Sequence, residues 1–82
     1  MTKKELEIEI KKHNKLYDNY MNMCERLLRD AQNMLDMANK GNSKELGEIF
    51  ISAANRSIDK AQDCLNKARQ ERIHVKDLKE LL

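Results

Sequence analysis

Residues 51–68, ISAANRSIDKAQDCLNKA, carry an alanine at every seventh position: Ala54, Ala61 and Ala68. Seven residues make almost two turns of an α-helix, so a column with this spacing runs down one side of it. A large aliphatic follows four residues after Gly47, Ala54 and Ala61, which predicts an inner seam of Gly47, Ile51, Ala54, Ile58, Ala61, Leu65 and Ala68. Such small residues gain little by themselves. They are useful in a seam only where a second helix comes close enough to pack on them.

The chain supplies that second helix upstream. Leu6, Ile10, His13, Tyr17, Tyr20, Cys24, Leu27, Ala31, Met34 and Ala38 follow one another at alternating spacings of four and three, the heptad period. Thr2-Lys3-Lys4-Glu5 reads as a capping box at the start of this helix, with the threonine oxygen and the Glu5 carboxylate each meeting a free backbone donor. The pattern breaks at NKGNSKE. Gly41 suits a left-handed helix terminus there, and Asn42 or Ser43 suits the next N-cap, with Glu45 three residues after Asn42. In an antiparallel pair the numbers of facing residues have a constant sum. At a sum of 85, Ala38 meets Gly47, Ala31 meets Ala54, Cys24 meets Ala61, and His13 meets Arg72. Met34 then meets Ile51, Leu27 meets Ile58 and Tyr20 meets Leu65, so small and large layers alternate.

The expected fold is therefore all-α: one domain, a long antiparallel helical hairpin of coiled-coil character with an alanine-rich seam. The first helix covers about 3–39, the turn 40–43 and the second helix about 44–72. The segment 73–82 either continues that helix or forms a short third one, capped by Asp77 with Glu80 and carrying Leu78, Leu81 and Leu82. Composition agrees, since charged residues make up 37%, proline and tryptophan are absent, and two tyrosines and one phenylalanine are the aromatics. Cys24 and Cys64 have neither metal-site spacing nor a disulfide framework around them and read as small core hydrophobes. With no apolar leader and no apolar run long enough to span a bilayer, a cytoplasmic protein is expected.

Apolar residues outnumber the places a single hairpin can bury. On the first helix Met21, Leu28 and Leu35 form one column beside the seam and Leu16, Met23 and Met37 form the other. The second helix adds Phe50 and Cys64 on the flank expected to face Met37 and Met23. An arc this wide calls for neighbours on two sides. A homodimeric four-helix bundle, a protein partner, or both are expected to cover it, through Leu16, Met21, Met23, Leu28, Leu35, Met37 and Phe50. An ordinary dimer core is the favoured form of that contact, although methionines also suit irregular partners.

Chemistry is sparse by comparison. Glu71-Arg-Ile-His74 has the Glu-x-x-His spacing of di-iron bundles, and Glu9 and His13 fall at the same open end, but such a centre needs more inward carboxylates. No metal and no cofactor are expected. No glycine-rich phosphate loop or nucleophile motif is present, and no enzyme is expected. The net charge is +2, unevenly spread: residues 1–15 carry five cations and three anions, and residues 60–82 carry six and four. Arg69, Arg72, Lys76 and Lys79, near Lys4, Lys11 and Lys15, can form a phosphate-contacting stripe, although a solvated helix face is the plainer reading.

The function expected is a small non-enzymatic protein-binding module, an adaptor, inhibitor or regulator. A dimeric nucleic-acid-associated regulator using the basic open end is the alternative, and a metal-binding bundle the third.

Overall fold

The computed structural model describes residues 1–41 and 43–82, so a cap at Asn42 lies outside the described residues. It is a hairpin of two helices, α1 (Lys3–Ala38) and α2 (Lys44–Glu80), packed along their length in a rod of 62 × 13 × 11 Å. No strand occurs among the described residues.

The helix ends follow from local chemistry. The backbone N–H of Glu5 donates to Thr2 Oγ1 at 3.2 Å, as a capping box requires, but the Glu5 carboxylate accepts from the Thr2 hydroxyl and not from its backbone N–H. Asn39 ends α1, and Gly41 then takes φ +75°, a conformation that side-chain-bearing residues rarely adopt. Ser43 restarts the chain as N-cap of α2, its hydroxyl accepting from the Leu46 N–H at 3.3 Å. Residues 73–82 do not form a separate helix. α2 runs without interruption through His74 to Glu80, because nothing between 68 and 80 breaks a helix and Val75 and Leu78 continue the inner seam.

The seam of α1 is the one its spacing predicts, since every one of its ten positions is buried or partly buried. The expected register also holds. A Cβ placed on Gly47 would stand 3.8 Å from the Ala38 carbonyl oxygen, and Cys24 shares one core cluster with Ala61.

The seam of α2 differs from the expected one by a rotation of one residue on its larger side. Ala54, Ala61, Ala68 and Val75 are buried as one column, but the second column is Phe50, Ser57, Cys64, Glu71 and Leu78. Ile51 and Ile58, expected inside, are 45% and 39% exposed, whereas Cys64, expected on the flank, is 7% exposed. Two causes act together. Inward-facing serine and cysteine let the helices approach more closely than isoleucine and leucine would allow. A seam through Ile51, Ile58 and Leu65 would also continue through Arg72 and Lys79, and desolvating two cations costs far more than turning in Glu71 and Leu78, once Glu71 has a partner.

Substitutions should separate the two seams. Ala61→Leu places extra methylenes in a site 2% exposed and should destabilise the hairpin by about 1–3 kcal/mol. Ile58→Ala should cost less than about 1 kcal/mol, against about 2–5 kcal/mol for an isoleucine in a packed core. Thermal denaturation followed by circular dichroism measures both. Cys24 and Cys64 are free and buried, so a thiol reagent should label both slowly in the folded protein and rapidly in urea; fast native labelling of Cys64 would return it to the flank.

Candidate protein-binding face

The rotation of α2 decides which surface is apolar. At 100° per residue, the positions after Tyr20, Leu27 and Met34 on α1 and after Phe50, Ser57 and Cys64 on α2 emerge on the same side of an antiparallel pair. That side carries Met21, Leu28 and Leu35 beside Ile51, Ile58 and Leu65. The opposite side carries Leu16, Met23 and Met37 beside Leu46, Ala53, Lys60 and Lys67. Cross-helix contacts agree with this geometry: Arg72 reaches Tyr17 on the first side, and the His74 ring stands 5.3 Å from that of His13 on the second.

The seven residues expected to form one binding face are therefore divided. Met21, Leu28 and Leu35 lie on the first side; Leu16, Met23 and Met37 lie on the second, with Phe50 partly buried in the seam of α2. Leu28, Met23 and Met37 are exposed, and the others are partly buried. Ile51 and Ile58 join this face in place of the inner seam that their spacing predicts. Extending the α2 seam through residues 71–79, where Arg72 and Lys79 follow the Ile51 column, would have found them.

The basic stripe is brought together. Arg69, Arg72, Lys76 and Lys79 line one open groove of about 800 Å³ whose apolar surface comes from Ile73 and Val75. Arg72 is held in place there. Its guanidinium donates to the Tyr17 hydroxyl at 3.2 Å and lies 5.2 Å from the centre of the Tyr17 ring, so it does not meet His13 as expected. Arg72 and Lys79 continue the Ile51, Ile58 and Leu65 column, so the groove lies on the first side, in line with its apolar residues. Lys15 falls on the outer surface of α1, away from this groove.

His13 meets Glu71 instead of Arg72, another result of the one-residue rotation. Its Nδ1 contacts the Glu71 carboxylate, and its Nε2 lies 3.6 Å from Glu9 Oε2. With side-chain exposures of 22% and 15%, His13 and Glu71 form a polar plug in a mostly apolar seam. Glu9, His13, Glu71 and His74 thus gather at the open end, yet among the described residues no group of three or more His, Cys, Asp or Glu is arranged to hold a metal ion. No helix among the described residues is long and apolar enough to cross a membrane.

No protein-family model matches the chain, and neither does any curated protein or solved structure.

The polar plug makes a testable energetic statement. His13→Ala should destabilise the hairpin by about 1–3 kcal/mol by leaving Glu71 without its partner. Replacing both, as His13→Leu with Glu71→Leu, should restore or exceed the original stability, because a matched apolar layer carries no desolvation cost. A double-mutant cycle in thermal denaturation measures the coupling.

Proposed function

We propose that this chain is a non-enzymatic protein-binding module, an adaptor, inhibitor or regulator of another protein, acting through the face that carries Met21, Leu28, Leu35, Ile51, Ile58 and Leu65. The observation behind this reading is that apolar columns from both helices meet on this side of a thin rod, whereas the exposed Met23, Met37 and Leu46 of the opposite side share it with Lys60 and Lys67. Leu28 is 48% exposed and stands on the same side as Ile51 and Ile58, each with about two-fifths of its surface in water. Apolar columns contributed by two adjacent helices make a groove suited to a further helix, whose apolar residues at three- and four-residue spacing would fill it. A second copy completing a four-helix bundle and a different protein are both occupants of that kind.

A nucleic-acid-associated regulator is the second reading, supported by the four cations of the groove. The groove's apolar surface and the aliphatic columns beyond it favour the first, because phosphate contacts make no use of them.

Leu28→Asp combined with Ile58→Asp should leave the helix content intact and abolish capture of partner protein in co-purification, since both positions are exposed in the isolated hairpin. A variant that captured the same partners would move the binding site elsewhere.

A further inference from the structure

We propose that the occupant of this face is an amphipathic helix from another protein whose apolar stripe ends in a cluster of acidic residues, bound with its acidic end at the open end of the hairpin. The proposal deepens the protein-binding reading and rests on it.

The argument starts from one column of α2. Ile51, Ile58, Leu65, Arg72 and Lys79 stand seven residues apart and so follow one another along one flank of the helix. The first three are aliphatic and the last two cationic. The next column outward changes character at the same level, from Glu48, Asn55 and Gln62 to Arg69 and Lys76. On the same side of the hairpin α1 supplies Met21, Leu28 and Leu35, level only with the aliphatic half. Beside the cationic half its Lys4 and Lys11 are offset by Glu7 and Asp18, so the net charge there comes from α2. Among the described residues, Glu80 is the only carboxylate lining the groove, against four cations.

The face is thus divided along its length, apolar towards the turn and basic towards the open end. From Ile51 to Lys79 it extends about 42 Å, at about 1.5 Å per residue, which a single helix of about 28 residues would span.

A second copy of this chain fits the division poorly. Two hairpins aligned in the same direction would set four cations against four cations, and two aligned oppositely would set each basic groove on the other's aliphatic columns. Copies overlapping only at their turn halves would leave both grooves uncovered. Like charges brought together and cations placed on apolar surface both oppose association. A helix with a matching division of apolar and acidic residues covers the whole face, and its carboxylates meet Arg69, Arg72, Lys76 and Lys79. Arg72, already braced by Tyr17, loses little freedom in doing so.

The test uses the full chain and two synthetic helical peptides of about 28 residues, each long enough for four heptads. Both have leucine at the inner positions of three heptads. The fourth heptad carries four glutamates in one peptide and four lysines in the other, and each peptide is made in both chain directions. Calorimetric titration in low salt should show the glutamate peptide binding at least about tenfold tighter than the lysine peptide. That advantage should shrink in about 0.5 M salt, where the screening length falls to a few Å. Arg69→Glu with Lys76→Glu should reverse the preference while circular dichroism stays unchanged, and Leu28→Asp with Ile58→Asp should abolish binding of both peptides.

Equal binding of the two peptides would overturn the acidic-helix proposal and leave the protein-binding reading standing. Failure of both, with a dimer in sedimentation that Leu28→Asp dissociates, would assign the face to a second copy and overturn the proposal. Failure of both with a monomeric chain would overturn the proposal and the binding reading together. Displacement of the glutamate peptide by anionic vesicles or duplex DNA at lower concentration than the peptide itself would give the groove to those ligands, and the proposal would fall.

Discussion

The contact on which this molecule depends is the close approach of α1 and α2 along Ala54, Ala61 and Ala68. Each of these alanines has almost no exposed surface, and Ala31 and Cys24 on α1 are nearly as buried. Small side chains on both helices bring the backbones together, where many weak dispersion contacts per residue accumulate. At the alanine layers the same closeness leaves no room for a large side chain from α2, so Ile51 and Ile58 stand at the edge of the seam while Leu6, Leu27 and Met34 of α1 pack within it. A tightly packed interior and an apolar exterior therefore have one origin.

The rotation of α2 extends this effect along the rod. At the turn half it turns Ile51 and Ile58 outward and Ser57 and Cys64 inward. At the open half it turns Glu71 inward to His13 and leaves Arg72 outward on Tyr17. Buried charge is tolerated in the seam only where it has a partner, and the histidine of α1 lies opposite the glutamate of α2. The polar plug and the division of the outer face into apolar and basic halves are therefore two sides of the same helix orientation.

Much of this was readable in the residues. The α1 seam followed from spacing because its apolar arc has a flanking column on each side, Leu16, Met23 and Met37 on one and Met21, Leu28 and Leu35 on the other, so the seam is the middle of the arc even though pairs such as Leu27 and Leu28 are both apolar. The register followed from matching the small residues of the two seams, Ala38 with Gly47, Ala31 with Ala54 and Cys24 with Ala61. The α2 seam did not follow, because Phe50 and Ile51, and likewise Cys64 and Leu65, are adjacent pairs in which both members are apolar. Hydrophobicity favours burying Ile58 over Ser57, whereas close approach favours the smaller residue, and single-helix periodicity does not weigh the two. The deciding residues were Glu71 against Arg72 and Leu78 against Lys79, in a segment whose helical continuation the local pattern left open. The candidate face inherited that ambiguity: its α1 half was legible and its α2 half was not. Nothing in the spacing of residues names an occupant, because helical hairpins serve many unrelated purposes.

The hairpin's single turn also orders its assembly. Contacts beside Gly41 close loops of a few residues, but the His13–Glu71 and Tyr17–Arg72 contacts join positions 58 and 55 residues apart. Loop-closure entropy rises with that separation, so pairing is expected to spread from the turn outward, with the far end closing last. The cationic groove lies at that far end. A partner bound there would hold together the contacts that close the longest loops of the hairpin.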